Sequence, residues 1–375
     1  MKCLFWLCVL GALHSYFIYP LLLKLVPKRV PGRRTENYAP RVSLIVACRN
    51  EERRLRHKIE NARATRYENK EILVASDASD DGSDAIVLQM RDAGFGVRLV
   101  RSPERRGKEY AQGLAIAAAE GEIIVFTDAG TDLPEDSIDE LVASFSDPQV
   151  GAVSSEDRFV SSDGSVVGEG AYVRYEMWLR QLESARRGLV GLSGSFFAVR
   201  KSILGTWDAG IPSDFACALK TVQAGMIAVS NPRVHGIYKD VADPGKEYGR
   251  KVRTAIRGMT AVLRLAEVLN PLRYGLFSFQ VWSHKVMRWL VPWFLLGLLI
   301  SSWWLAEAGT IYRAAFWLQC AGYAAVVLTH WIPALRAATV LRLGYYFVQA
   351  NVALATAGIQ LLAGKRIVVW TPSAR

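Results

Sequence analysis

The residues best placed to do chemistry lie in GEIIVFTDAGTD, from Gly121 to Asp132. Ile123 to Phe126 is an apolar run that stops at a carboxylate, Asp128. Such a run fits a strand buried on both faces of a mostly parallel sheet. Asp128 then falls at the carboxyl end of that strand, where open α/β sheets bind their ligands. A carboxylate there, with Asp132 four residues on, can hold a hard divalent cation that bridges to a diphosphate. The same residues also fit a plainer role, with Asp128 opening a turn and Asp132 capping the helix after Leu133-Pro134.

The elements that must position this stretch alternate from Pro40 onward. Val42 to Cys48 reads as a strand, Asn50 to Arg63 as a charged helix, and Glu71 to Ala75 as a second strand ending in SDASDDGS. A helix over Ser83 to Ala93, a strand over Val97 to Arg101 and an alanine-rich helix over Lys108 to Glu120 follow, and a helix from about Pro134 to Phe145 comes after Asp132. Alternation of this kind builds right-handed βαβ units around a parallel sheet. Between Gly151 and Pro232 the pattern loosens, with helices expected over Gly170 to Arg187 and Ser213 to Ala224. A basic helix, Glu247 to Val268, carries Arg250, Lys251, Arg253, Arg257 and Arg264.

The flanks read differently. Hydrophobic residues make up 51% of the 375-residue chain, although 22% is charged, a mixture that suggests a soluble domain joined to membrane segments. Leu4 to Leu25 is long enough to cross about 30 Å of hydrocarbon. Lys24, Lys28, Arg29, Arg33 and Arg34 come next, which by the positive-inside rule leaves the following domain in the cytoplasm. Trp289 to Ala306 and Ala314 to Ile332 are strongly apolar, Leu343 to Ala363 has the length to span, and Phe277 to Arg288 suits a helix in the interface. The net charge of +11 points to anionic lipid or a phosphorylated substrate. Basic patches interleaved with aromatics are not evident, which argues against nucleic acid. Cys3, Cys8, Cys48, Cys217 and Cys320 are scattered, without the spacing of a disulfide framework or a zinc site.

Taken in order, VSLIVACRNEE, SDASDDGSD, RRGKEYAQGLA, EGEIIVFTDAGTDL, GLSGSFFAVRK, SDF and RKVRTAIRG resemble the family 2 membrane glycosyltransferases, relatives of the cellulose, chitin and hyaluronan synthases. The resemblance covers roughly residues 40 to 260. It implies an α/β fold of GT-A type, a mostly parallel sheet with flanking helices, between N- and C-terminal transmembrane helices. It also implies transfer of a sugar from a nucleotide diphosphate sugar, usually UDP-linked, with Mg²⁺ or Mn²⁺. Ala47, Arg49, Asn50 and Glu51 match the loop lining the nucleotide pocket, and Asp77 matches the aspartate that contacts the base. Lys108 matches the lysine near the diphosphate. Asp128 matches the first acid of the metal-binding D-x-D, whose third position is here Gly130. Gly194 and Ser195 fall in the acceptor-side segment, and Asp214 matches the general base. Arg250 and Arg253 fall on QxxRW, altered here at both ends, with Thr254 where the tryptophan belongs. Trp370 and Arg375 resemble a tail that closes over the nucleotide.

The expected organisation is an anchor at 1–27, the GT-A domain at 38–270, an interfacial helix at 271–288, transmembrane helices at 289–363 and a tail at 364–375. The expected function is inverting transfer to a polysaccharide or glycolipid acceptor at the inner membrane, with a nucleotide-sugar donor and membrane lipids as partners. Transfer to a polyprenyl phosphate and a catalytically degenerate scaffold subunit are the alternatives. Five histidines, His14, His57, His235, His284 and His330, show no ligand-like spacing.

Overall fold

Val42–Cys48 (β1) is buried over nearly its whole length, and alternate residues feed two separate cores. Val42, Leu44, Val46 and Cys48 point into one, with Leu55 and Ile59 of the helix Glu52–Ala64. Ile45 points into the other, with Ala111 and Ala115 of the helix Lys108–Ala118. A strand covered on both faces must be apolar throughout, which is why the sequence shows runs here and no alternation. These features belong to a computed structural model, which describes residues 1–160, 171–239 and 244–367.

The remaining strands are Lys70–Ser76 (β2), Val97–Arg101 (β3), Ile123–Asp128 (β4), Val150–Val160 (β5), Phe196–Arg200 (β6) and Ile227–Lys239 (β7). They form one sheet in the order β3-β2-β1-β4-β6-β5-β7. Strands β1 to β4 run parallel, β6 runs against both β4 and β5, and β5 pairs parallel with β7. The α/β fold class expected from the alternation is therefore present. From β1 the chain first builds outward through β2 and β3, then crosses back to place β4 on β1's other side. That reversal opens a crevice at the carboxyl ends of β1, β2 and β4. In the register, Ala47 lies opposite both Ala75 and Asp128.

Three strands, β5, β6 and β7, are not revealed by the sequence pattern, and β5 and β7 are the longest in the sheet. Their pairing shifts register between Val150 and Ala152 and again between Ser154 and Glu156. Such bulges break the period-2 pattern by which a strand is read.

The described chain divides into two units. Residues 26–239 and 260–277 contain the sheet; residues 1–25, 244–259 and 278–366 form the other. In the second unit Lys2–Leu25, Leu276–Trp304 and Thr310–Trp331 are long and apolar enough to cross a membrane. Thr339–Leu362 has the length without the same apolarity. Residues 277–288, expected to form a helix in the interface, belong to the continuous apolar helix Leu276–Trp304, which passes through a π-helical turn at Trp282–Val286. A second π turn, His14–Ile18, interrupts the N-terminal helix, and His14 Nε2 lies 3.0 Å from Ser283 Oγ. The N-terminal helix and the helix Met287–Trp304 approach so closely that a Cβ on Gly11 would stand 2.7 Å from the Phe294 ring, and one on Gly297 2.7 Å from Cys8 Sγ. Small residues allow helix backbones to meet in this way.

Candidate active site

The DAGTD turn after β4 is fixed from four sides. The Asp128 amide donates to Ser195 O at 3.1 Å, which ties the turn to the residue before β6. Asp132 exchanges backbone hydrogen bonds with Ile237 of β7, at 2.8 and 3.0 Å. Its carboxylate meets His57 Nε2 at 3.0 Å, and Asn61 bonds both the amide and the carbonyl of Leu133. Beneath the turn lies Lys58, fully buried, whose ammonium donates to Thr127 Oγ1 at 3.0 Å and to the carbonyl of Thr131. Burial pushes the Lys58 pKa down to about 7, against the pull of Asp132 and Asp128.

Asp128 itself stays half-buried at the end of β4 and accepts from Lys108 Nζ at 2.6 Å. The same ammonium donates to Gly194 O at 3.1 Å. Burial alone would depress the Lys108 pKa, but the carboxylates of Asp128, Glu109 and Asp214 overcome it and raise the value. Asp214 begins the helix Ser213–Gln223, and its Oδ2 is 3.1 Å from where a Cβ on Gly194 would sit. A side chain at Gly194 would press on that carboxylate, which would have to yield by a few tenths of an ångström. One ammonium thus links the end of β4, the GLSGS segment and the start of that helix. Asp128, Lys108, Gly194, Ser195 and Asp214, far apart in sequence, form one cluster.

A second cluster lies on the β1 and β2 loops. Arg49 Nη1 donates to the carbonyls of Asp77 and Ala78, and Nη2 meets Asp80 Oδ2 at 2.9 Å. The Asn50 side chain both donates to Asp80 Oδ1 and accepts from the Asp80 amide, at 2.6 and 3.1 Å. The Glu51 amide donates to Ser83 Oγ. Asn50 and Ala78 hold positive φ, 55° and 50°, a conformation costly for alanine that persists only where surroundings impose it. The Asp77 carboxylate is buried and accepts from the amides of Arg106 and Gly107 at 2.9 to 3.0 Å, so it holds the turn that delivers Lys108. Cys48, buried with its pKa pushed up to about 12 chiefly by burial, is an unreactive packing residue.

Arg250 and Arg253 stand on the helix Pro244–Arg264, in the part belonging to the other unit, with Arg257 one turn further. Burial, and then the charges of Arg257 and Arg250, lower the Arg253 pKa. Trp370 and Arg375 lie outside the described residues.

Two participants went unread in the sequence. Lys58 shares a face with Leu55, Ile59 and Ala62, all buried, and a lysine at that helical spacing was the available signal. Asp157, on bulged β5, gave none; its Oδ1 accepts from Ser193 Oγ and, at 3.1 Å, from Ser195 Oγ.

Residues 43–207 match the model described as glycosyl transferase family 2. Among characterised proteins, the poly-beta-1,6-N-acetyl-D-glucosamine synthase of Staphylococcus aureus (strain COL) is 25% identical over 225 residues, 58% of this chain and 53% of that protein. The synthase of the same name from Staphylococcus epidermidis is 25% identical over 231 residues. The chain thus spans about half the length of the curated relatives it matches. The solved mannosyltransferase PcManGT of Pyrobaculum calidifontis, a complex with GDP-Man and Mn²⁺, superposes with a TM-score of 0.75 at 23% identity, covering 97% of this chain and 99% of its own. The fold is accordingly of the GT-A type.

Proposed function

We propose that this protein is an inverting glycosyltransferase that moves a sugar from a nucleotide diphosphate sugar to a saccharide or glycolipid acceptor at the membrane. The observation that carries this reading is Lys108 Nζ, 2.6 Å from Asp128 and 3.1 Å from Gly194 O, with Asp214 against that same glycine. A cation for the diphosphate and a carboxylate for the acceptor hydroxyl both meet the segment at Gly194.

The roles follow from the chemistry of each group. Arg49, Asn50, Glu51 and Ala47 shape the wall of the nucleotide pocket. Asp77 keeps the Arg106-Gly107 turn in place and offers remaining lone pairs to a base imide N–H. Lys108 exchanges its bond to Asp128 for the diphosphate oxygens, where a flexible ammonium serves as a mobile point charge. Asp214 accepts the proton of the acceptor hydroxyl as that oxygen attacks the anomeric carbon. Gly194 leaves room for the attacking sugar beside it.

A divalent metal fits this chain on limited terms. Asp128 supplies one carboxylate, Gly130 supplies none, and Asp132 is engaged with His57. Among the described residues no group of three or more His, Cys, Asp or Glu gathers as a ligand cage. Mg²⁺ or Mn²⁺ held by Asp128 would take its other ligands from the donor diphosphate and water, a coordination suited to Mg²⁺. Such an ion neutralises charge on the departing diphosphate. We infer a cytoplasmic catalytic unit from the basic run Lys24 to Arg34.

The test is a panel of UDP- and GDP-sugars offered to the full chain in lipid nanodiscs, with and without Mn²⁺. At least one donor is expected to release its nucleoside diphosphate, and release is expected to need the cation. Silence across the panel, with bound nucleotide equally absent, would support the scaffold alternative.

A further inference from the structure

From Ser195 of the catalytic cluster a set of polar groups extends to the bulged strands, and its members Ser193, Asp157 and Tyr238 have no role attached so far. Asp157 of β5 accepts at Oδ1 from the hydroxyls of Ser193 and Ser195. Ser193 Oγ and Ser195 Oγ are 2.9 Å apart, and Ser195 Oγ is 2.6 Å from Tyr238 OH on β7. Ser193 and Tyr238 are buried, whereas Asp157 and Ser195 are half-exposed. Among the described residues Asp157 makes no ion pair, and its carboxylate is met by the two serine hydroxyls. Burial, and then Asp157 beside it, push the Tyr238 pKa far up, so this phenol remains a neutral hydroxyl.

Placement turns this cluster into a site. Gly194, between the two serines, gives its carbonyl to Lys108 and its open Cα face to Asp214. Consecutive Cα atoms are about 3.8 Å apart, so Ser193 and Ser195 directly flank the residue that meets both the proposed base and the diphosphate cation. A carboxylate only accepts, while serine and tyrosine hydroxyls both donate and accept. Together they match a pair of neighbouring pyranose hydroxyls, each of which must donate one hydrogen bond and receive another. A purely structural patch at this depth needs no anion, because leaving a half-buried carboxylate without a cation costs stability.

We propose that Asp157 and Tyr238, with Ser193 and Ser195, bind the hydroxyls of a pyranose in the transfer site and set which sugar epimer is accepted. This rests on the glycosyltransferase reading above. The sugar can be the donor's or the acceptor's, and the experiment separates them.

The full chain in nanodiscs, as wild type, Asp157→Asn and Tyr238→Phe, is given UDP- and GDP-linked glucose, galactose, N-acetylglucosamine and mannose. Hydrolysis in the absence of acceptor, radiolabel transfer to membrane material, and UDP or GDP affinity are measured for each. Asp157→Asn is expected to lower kcat/KM for the preferred donor by about 10- to 100-fold, the scale of a hydrogen bond to a charged group. Its preference among epimers is expected to flatten while nucleoside diphosphate affinity holds within twofold. Tyr238→Phe is expected to act in the same direction by a few-fold, and it decides the matter if Asp157→Asn does not fold. Loss of both hydrolysis and transfer assigns the donor sugar; loss of transfer alone assigns the acceptor. Both activities intact, or nucleotide affinity falling in step with turnover, would overturn the inference. A wild type inert to every donor would overturn the parent reading and this one with it.

Discussion

Asp128 is a carboxylate already spoken for. Its partner is Lys108, at 2.6 Å, and on the proposed reading the donor diphosphate would draw on Lys108 and a metal on Asp128, each relieving that ion pair. Lys108→Met is expected to weaken nucleoside diphosphate binding by about tenfold, near the scale of one charge-assisted hydrogen bond. It is expected at the same time to strengthen Mn²⁺ binding to the nucleotide-free protein, because Asp128 loses its competitor. Calorimetry for the nucleotide and paramagnetic resonance for Mn²⁺ read the two effects, and a fall in both affinities would contradict the exchange. Lys58 offers a pH signature at the same scale. Its native pKa of about 7 lies below the ordinary 10.5, so between those values the unfolded chain holds more protons than the folded one. Stability from this group therefore rises as pH climbs through that window, and the cost of the buried charge is full below it. The melting temperature of Lys58→Met relative to wild type is expected to be more favourable near about pH 6.5 than near about pH 9. A difference independent of pH would show that Lys58 does not titrate there.

The decisive element is β4 with its turn. Gly121, two residues before β4, lies in a space so narrow that a Cβ would stand 2.5 Å from the backbone nitrogen of Ser43 and 2.7 Å from the carbonyl carbon of Val42. Backbone atoms cannot yield as a flexible side chain does. Gly121→Ala is expected to cost about 1–3 kcal/mol through overpacking, visible as a lower melting temperature. Unchanged melting would mean that β1 and β4 separate more easily than their register suggests. At this scale the sequence was informative where strands are covered on both faces. β1 and β3 begin and end where the apolar pattern places them, and the Lys108 and Ser213 helices start at their expected residues. It was uninformative over β5 and β7, where bulges scramble the alternation, and Asp157 and Tyr238 were hidden with them. The site was legible by the same rule. Asp128 and Asp214 announce themselves at the ends of elements, whereas Lys58 shows only through its spacing with Leu55, Ile59 and Ala62 on one helix face.

For the whole molecule, charge and apolarity are segregated along the chain. The helix Lys2–Leu25, long and apolar enough to cross a membrane, is followed at once by Lys28, Arg29, Arg33 and Arg34, and two further helices of that kind, Leu276–Trp304 and Thr310–Trp331, come after the sheet. Arg29 is tied back by Asp147, at 2.9 Å, and burial of that carboxylate is outweighed by its bonds to Arg29, Gln149 and Gly32, which lower its pKa. The basic segment is therefore anchored to the catalytic unit. A cysteine placed at Arg34 in a variant free of native cysteines is expected to react with a membrane-impermeant maleimide in inverted vesicles and to be protected in intact cells. Labelling in intact cells would reverse the orientation. It would also put the crevice on the side of the membrane away from cytoplasmic nucleotide sugars.

The central claim is that Asp214 is the base at a nucleotide-sugar site built around Lys108 and Asp128. It is tested most directly by comparing the wild type with Asp214→Asn in two assays on the same preparation, nucleoside diphosphate affinity and release of nucleoside diphosphate during transfer. Affinity within about twofold of wild type with release slowed by about 10²- to 10⁴-fold, the range for loss of a general base, is the expected result. Release at the wild-type rate would contradict the account.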